Sequence, residues 1–224
     1  MEERINRKLW LEFPELVKAV QRDHKELNVL FNGPHSFLHA LTVAQFGWLI
    51  AEDENIAIAA WVAGLGHDRH RHCKNQIEVN KKLDYYLTLT GLATGVNQMI
   101  KQAILSHDDK SRGPADNPVT VALKDADCLG NIGPSHWLRS GQFRPDIPVF
   151  DPIYFLSDPE ATFKDPRSIC RDIMHTLEWE GWLRLPKAKE LGKPDFDACR
   201  WLLETIEKRH ADLGLFPLPD ELRG

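Results

Sequence analysis

Three segments of the 224-residue chain place imidazoles and carboxylates inside or directly after apolar helical patterns. His39 stands within one apolar stretch, and Asp127 lies in a short helical pattern. His67 and Asp68 directly follow the most apolar stretch of the chain. Because a buried carboxylate is costly unless it pairs or binds a metal, we expect these side chains to converge on one cation.

Two imidazoles and two carboxylates suit several divalent ions. Neutral imidazole favours zinc, iron or nickel, and carboxylate adds the hardness that manganese and magnesium prefer. An octahedral ion with this ligand set keeps positions open for water and a substrate oxygen, and it can polarise a phosphoryl group. The residues therefore predict one divalent ion (manganese, iron, nickel, cobalt or zinc, with magnesium as a further option), and they leave the reaction open.

The last carboxylate has a rival two residues earlier. Successive residues of an α-helix rotate by about 100°, so Asp125 and Asp127 point in nearly opposite directions. Apolar side chains accompany both of them. The pattern alone therefore leaves open which of the two faces the site.

Helical spacing in nearly every window predicts an all-α fold that positions these side chains. Asn55 is predicted to cap the most apolar helix, and Asn117–Pro118 is a strong signal for the start of the helix that carries Asp127. The expected helices cover about 14–28, 35–51, 56–65, 76–89, 96–105, 118–130, 167–185 and 195–213.

No linker in the sequence separates two domains. A proline-rich segment at about 141–166 is expected to be an ordered, irregular excursion over the surface. We expect a single domain over 1–224, with a core at about 14–133 and C-terminal helices at about 167–213. Trp48, Trp61 and Trp201 lie on apolar stripes and are expected in the core.

Bulk composition limits the partners and the compartment. The formal net charge is -5 and the pI about 6.1, so no binding to duplex nucleic acid is expected. The sequence begins with no secretory signal and contains no apolar run of bilayer length, so no membrane association is expected. Four scattered cysteines without a CxxC pair are expected to be buried free thiols in the cytoplasm. A homo-oligomer is left open.

The order of the chemistry-bearing residues resembles the signature of the HD-domain superfamily of metal-dependent phosphohydrolases. The segments HALTVAQ, AAWVAGLGHD and IKQAILSHD are similar to its first-histidine helix, its apolar run into the His-Asp pair and a helix ending in another histidine. The segment LKDADCLGNIG resembles the Asp-Ala-Asp-x-Leu stretch of a small bacterial branch. The likeness covers roughly residues 35–133 and implies an HD-type helical bundle with extra C-terminal helices.

The resemblance also implies roles for individual residues. In the bacterial branch the second aspartate of Asp-Ala-Asp is the ligand, which selects Asp127 over Asp125. Asp68 is implied to orient the attacking water as well, and His107 to bind phosphate or donate a proton. The implied metal ligands are His39, His67, Asp68 and Asp127.

Basic side chains are candidates for holding a phosphorylated substrate. The run Arg69-His70-Arg71-His72 stands where some family nucleotidases carry a carboxylate, and its donors, His70 and Arg71 in particular, could grip phosphate oxygens. Lys124, one turn before Asp127, is a further candidate. The expected substrate is a nucleotide or another small phosphorylated metabolite. The expected reaction is hydrolysis of its phosphoester or phosphoanhydride bond.

One departure from the family pattern and several alternatives accompany this interpretation. Gly130 stands where the bacterial branch usually has aspartate. A separate zinc site from His70, His72 and Cys73 is disfavoured because the spacing matches no standard zinc module. The di-metal branches of the superfamily use extra histidine ligands between the His-Asp pair and the last aspartate. No histidine lies between Cys73 and Ser106 in this chain, so one ion is favoured over two. The rival functions are an HD-fold di-iron oxygenase and a non-catalytic nucleotide-binding module.

Overall fold

The computed structural model describes residues 2–31, 33, 35–109, 113 and 115–223, apart from the side chains of Glu2, His70 and Phe143. Within these residues there are eleven α-helices and no β-strand, which confirms the predicted all-α class. None of the described helices is long and apolar enough to cross a membrane. Where the sequence analysis expected a single domain, the chain divides into two compact units, Met1–Gly130 with Trp182–Glu190, and Asn131–Gly181 with Leu191–Gly224.

The helices of the first unit are α1 (Glu2–Asn6), α2 (Leu9–Glu12), α3 (Pro14–Glu26), α4 (Phe37–Ile50), α5 (Glu54–Gly66), α6 (Gln76–Thr88), α7 (Thr94–Ser106) and α8 (Pro118–Gly130). They form a bundle in which α4, α5 and α8 pack against one another and α7 packs against α5 and α8. A 3-10 helix, His67–His72, follows α5 directly.

Helix α5 is the centre of this bundle, since every residue of 59–66 is buried. A Cβ atom at Gly64 would lie only 2.7 Å from the Cα of Ala44, so glycine is needed for the backbones of α4 and α5 to approach this closely. The close approach places the beginning of α4 and the end of α5 in the same part of the core.

Side-chain caps fix where these helices begin. The N–H of His39 donates to Ser36 Oγ at 3.2 Å, and the N–H of Thr120 donates to Asn117 Oδ1 at 2.9 Å, which confirms the predicted cap of α8. The predicted cap Asn55 is wrong. The helix begins at Glu54, and Asp53 Oδ1 accepts the N–H of Ile56 at 2.9 Å instead.

The second unit contains α9 (Gly133–Phe143), α10 (Ile169–Leu177) and most of α11 (Pro186–Asp212), whose residues up to Glu190 belong to the first unit. The predicted excursion corresponds to residues 144–168, which contain no helix. Helix α9 was not predicted, and α11 begins nine residues before the predicted 195 with Pro194 inside it. The core of this unit contains Phe155, Ile169, Cys170, Ile173, Cys199 and Leu203.

Two predictions about single residues can be compared with the structure. All four cysteines lie in the described part of the chain, and none forms a disulfide; three of them are buried. Trp48 and Trp61 are core residues as predicted. The prediction for Trp201 is wrong, because that side chain is 62% exposed.

Candidate metal centre

The four predicted metal ligands lie together in the first unit. His39 is in the first turn of α4, Asp127 is in the last turn of α8, and His67 and Asp68 open the 3-10 helix after α5. All four side chains are buried. Three helical segments that are far apart in sequence therefore deliver one imidazole-carboxylate group to the core.

The separations within this group suit a shared cation. The Nε2 atoms of His39 and His67 each lie 3.6 Å from Asp127 Oδ1. From Asp68 Oδ2 they lie 3.7 Å and 3.1 Å, respectively. Ligand atoms about 2.1 Å from one ion stand about 3 Å apart when adjacent and about 4.2 Å apart when opposite. The measured distances fall in this interval.

His107 joins the same cluster. Its ring centroid lies 5.1 Å from that of His67, which agrees with its predicted position near the ligands. The potential ligand atoms form two overlapping sets, His39 with His67 and Asp127, and His67 with Asp68 and His107, each with all atoms within 4.8 Å of one another. Because both sets share His67, one ion beside that imidazole is the simplest arrangement, and a single ion stays a prediction.

Backbone carbonyls fix the tautomers of two imidazoles. Nδ1 of His67 lies 2.7 Å from the Gly64 carbonyl oxygen, and Nδ1 of His107 lies 2.7 Å from that of Ile104. A carbonyl oxygen can only accept, so each Nδ1 donates its hydrogen. The Nε2 lone pairs of the neutral rings are then directed into the cluster, which is the arrangement of histidine ligands with an outer hydrogen bond.

The electrostatics of the cluster favour a positive charge. Burial lowers the pKa of His67, but the carboxylates of Asp68 and Asp127 outweigh it and raise the pKa to about 9. Burial lowers the pKa of His39 below its ordinary value, despite the attraction of Asp127. Burial raises the pKa of Asp68, but His67 and His35 hold it well below its ordinary value. The Asp68 carboxylate therefore remains ionised and attracts either a proton on His67 or a cation.

Asp125, the rival carboxylate, has a different task. Its Oδ2 accepts the backbone N–H groups of Arg184 and Leu185, each at 2.8 Å. It therefore holds the residues that precede α11, on the face of α8 opposite to Asp127. The geometry brings Asp127, rather than Asp125, to the two imidazoles.

Lys124 pairs with Asp116. Its Nζ lies 3.0 Å from Oδ1 and 3.1 Å from Oδ2 of that carboxylate, and the lysine side chain is buried. Arg184 Nη1 donates to the same Asp116 at 2.6 Å. The structure thus gives Lys124 a contact within the first unit, and its predicted phosphate contact stays a prediction.

The first arginine of the basic run is directed into the protein. Arg69 is buried, with Nη1 3.8 Å from Oδ2 of Asp23. The same carboxylate accepts from the Tyr86 hydroxyl and from Lys82 Nζ at 2.8 Å. Burial raises the pKa of Asp23, but these partners lower it below the ordinary value. This buried charge cluster anchors the residue that follows Asp68.

The remaining basic side chains lie nearer to the rim of the cluster. Arg71 Nη2 donates to Asp108 Oδ1 at 2.8 Å, and that oxygen lies 3.5 Å from His107 Nε2. The Asp108 carboxylate therefore lies between Arg71 and the cluster, and 44% of the Arg71 side chain is exposed. The side chain of His70 lies outside the described residues, and so does the alternative zinc site that includes it.

The sequence analysis missed His35. Its Nδ1 lies 2.9 Å from Asp68 Oδ2, just before α4 begins. The signal available was its spacing of four residues from His39, which places two helical side chains on one face. The predicted helix begins at residue 35, whereas α4 begins at Phe37 and leaves His35 outside it.

Comparison with known proteins bears on the fold. Neither a family model nor a curated protein matches the sequence. Among solved structures, YpgQ of Bacillus subtilis in complex with ADP is similar, with a TM-score of 0.67 and 17% identity over 88% of this chain and 94% of YpgQ. The Lin1889 protein of Listeria innocua gives 0.62 and 17% over 88% and 96%, and a Lactobacillus plantarum protein gives 0.61 and 15% over 88% and 98%. At these identities the likeness concerns the fold alone.

Proposed function

We propose that this chain is a metal-dependent phosphohydrolase of the HD type, which hydrolyses a phosphoester or phosphoanhydride of a nucleotide or similar small metabolite. The observation that carries the proposal is the buried group of His39, His67, Asp68 and Asp127 with cation-sharing distances. The donor set fits manganese, iron, nickel, cobalt or zinc. The ADP bound to the structurally similar YpgQ makes nucleotides the first substrates to test.

Each residue of the cluster has a role in this proposal. A bound divalent cation supplies Lewis acidity, which eases deprotonation of water and offsets charge on a phosphoryl group. His39 and His67 offer neutral Nε2 atoms to it, and Asp127 offers a carboxylate oxygen. Asp68 is a ligand that also orients the nucleophilic water. His107, with Nδ1–H engaged by a carbonyl, directs Nε2 toward the phosphate or the leaving group.

Arg71 is the best-placed group for the substrate phosphate. Its side chain is 44% exposed, and its guanidinium is held beside the cluster by Asp108. A phosphate group offers the same pair of oxygen acceptors as a carboxylate with more negative charge, so it can replace Asp108 as the partner of Arg71. His70 and Lys124 are retained as further candidates for phosphate contacts.

The test is a screen of nucleotides, including ADP, and sugar phosphates against several divalent ions, with release of phosphate and pyrophosphate measured. We expect Asp127→Asn to lose at least about a hundredfold in turnover, as for loss of a metal ligand or its supporting shell. Asp125→Asn, which keeps a side-chain oxygen for the two backbone N–H groups, is the matched control. Folded, metal-loaded protein that releases nothing from any substrate would refute the proposal. If the wild type binds ADP without hydrolysing it, and the Asp68→Ala variant binds ADP equally well, the chain is a binding module.

A di-iron oxygenase is the second candidate, because His67, Asp68 and His107 form the second set of potential ligands. Anaerobically prepared protein with two irons per chain would favour it. One divalent ion per chain would favour the hydrolase.

A further inference from the structure

We infer that His35 is a positioning residue for the metal centre, and that its Nδ1–H group holds Oδ2 of Asp68 in place for cation binding. The inference rests on the proposed function, because it assigns a task to a residue outside the ligand set. It concerns how the site is held together before the cation arrives.

The two contacting atoms of His35 and Asp68 are buried, although 38% of the His35 side chain is exposed. Nδ1 of His35 lies 2.9 Å from Oδ2 of Asp68, a hydrogen-bonding distance. Both atoms are buried, and neither forms a well-aligned hydrogen bond with any group in the described part of the chain, each other included. The 2.9 Å separation is therefore a close polar contact that a small rotation of the His35 ring would turn into a hydrogen bond. Because buried polar atoms without partners are costly and rare, each of the two is the natural partner of the other.

His35 contacts the carboxylate from outside the cluster. Its nitrogen is in neither of the two sets of potential ligand atoms, whereas Asp68 Oδ2 is 3.1 Å from His67 Nε2. The oxygen that faces His67 is therefore also the oxygen that His35 reaches. A carboxylate ligand oriented by an outer N–H donor loses less freedom on binding the ion, and such outer partners typically contribute 10–100-fold to metal affinity.

Two further histidines hold His35 in position. Nε2 of His72 lies 3.1 Å from the His35 carbonyl oxygen, so His72 donates there. The His24 and His72 rings pack in a T-shaped arrangement, with ring centroids 5.4 Å apart. Nδ1 of His24 in turn donates to the Val20 carbonyl of α3 at 2.8 Å. This histidine chain connects α3 and the 3-10 helix to the residue that contacts Asp68.

The experiment measures Mn²⁺ affinity at one fixed pH by titration calorimetry in wild type, His35→Ala and His35→Asn. The amide N–H of asparagine can occupy roughly the position of Nδ1. We expect His35→Ala to bind Mn²⁺ about 10–100-fold more weakly and His35→Asn to recover most of that loss. Leu38→Ala, an exposed residue in the first turn of α4, is the matched control and should bind like wild type.

The outcomes separate this inference from the proposed function. A wild type that binds no Mn²⁺ overturns the metal centre itself. Wild-type affinity in His35→Ala overturns the positioning role alone, and so does a weak His35→Asn variant, because the imidazole would then be needed for more than its N–H. If His35→Ala does not fold, His72→Ala and His72→Gln replace it. The glutamine can keep the donor to His35, so only the alanine variant should weaken Mn²⁺ binding.

Discussion

Cation binding to this chain should expel one proton, and His67 should be its source. In the absence of a cation the neighbouring carboxylates raise the pKa of His67 to about 9. A histidine ligand must be neutral, so the proton leaves when the ion binds. His39 has a lowered pKa and Asp68 a pKa far below neutrality, so neither adds a second proton near neutral pH.

The sign and size follow from this proton competition. Below pH 9 the proton occupies the imidazole, and each pH unit upward removes about a factor of ten of competition. Between pH 6.5 and 8.5 the apparent affinity should therefore rise about 100-fold, or about 2.7 kcal/mol. Binding strengthens as the pH rises, and the dependence should level off near pH 9.

Titration calorimetry with Mn²⁺ in buffers of different ionisation enthalpy at pH 7.5 gives the number of protons released, and repeating it across the pH range gives the slope. His107→Gln is the control, because its ring adjoins His67 but the proton is assigned to His67. That variant should still release about one proton. No proton release, or an affinity that does not change with pH, would refute the assignment.

Three further predictions test separate contacts. Asp125→Ala should lower the unfolding free energy by about 2 kcal/mol in a denaturant titration, since two backbone N–H groups lose their acceptor. Metal analysis should show that this variant keeps the metal stoichiometry, whereas Asp127→Ala loses the metal. Gly64→Ala should destabilise by about 1–3 kcal/mol in the same denaturant assay, and Gly95→Ala, which has open space around it, should not. Arg71→Ala should weaken ADP binding about tenfold in calorimetry without changing the thermal midpoint, because its ion pair is half exposed.

Much of the helical fold was predictable because its signals are local. The cap and proline at Asn117 and Pro118 fix the start of α8 within a few residues. Pro194 shows the limit of such rules, because the predicted helix begins after it, at about 195, whereas the proline lies inside α11. A proline there removes one backbone hydrogen bond, and the buried residues that follow, such as Phe196 and Cys199, pack well enough for the helix to persist. Packing of this kind has no local sequence signal.

The residues of the candidate site likewise differ in whether a local sequence signal could reveal their role. The ligand residues could be proposed because apolar helices carried polar groups in a recognisable order. The tasks of the other polar residues depend on distant partners. Asp125 binds backbone groups 59 and 60 residues further along the chain, and Arg69 reaches back 46 residues to Asp23. No spacing rule connects such pairs, so charge alone could not tell a substrate-binding residue from one that anchors the fold.

Gly130 connects the packing of α8 with the composition of the site. Gly130 is the departure noted above from the bacterial branch that the segment resembles, which usually has aspartate here. A Cβ atom at residue 130 would lie 2.7 Å from Val43 Cγ2 and 3.4 Å from His39 Cε1. A side chain here would therefore displace Val43 and crowd the imidazole that faces Asp127. In this chain α8 approaches α4 because the residue is glycine, and the same approach brings Asp127 within 3.6 Å of His39. The absence of a side chain at residue 130 therefore permits the close helix contact that sets the short distance between His39 and Asp127.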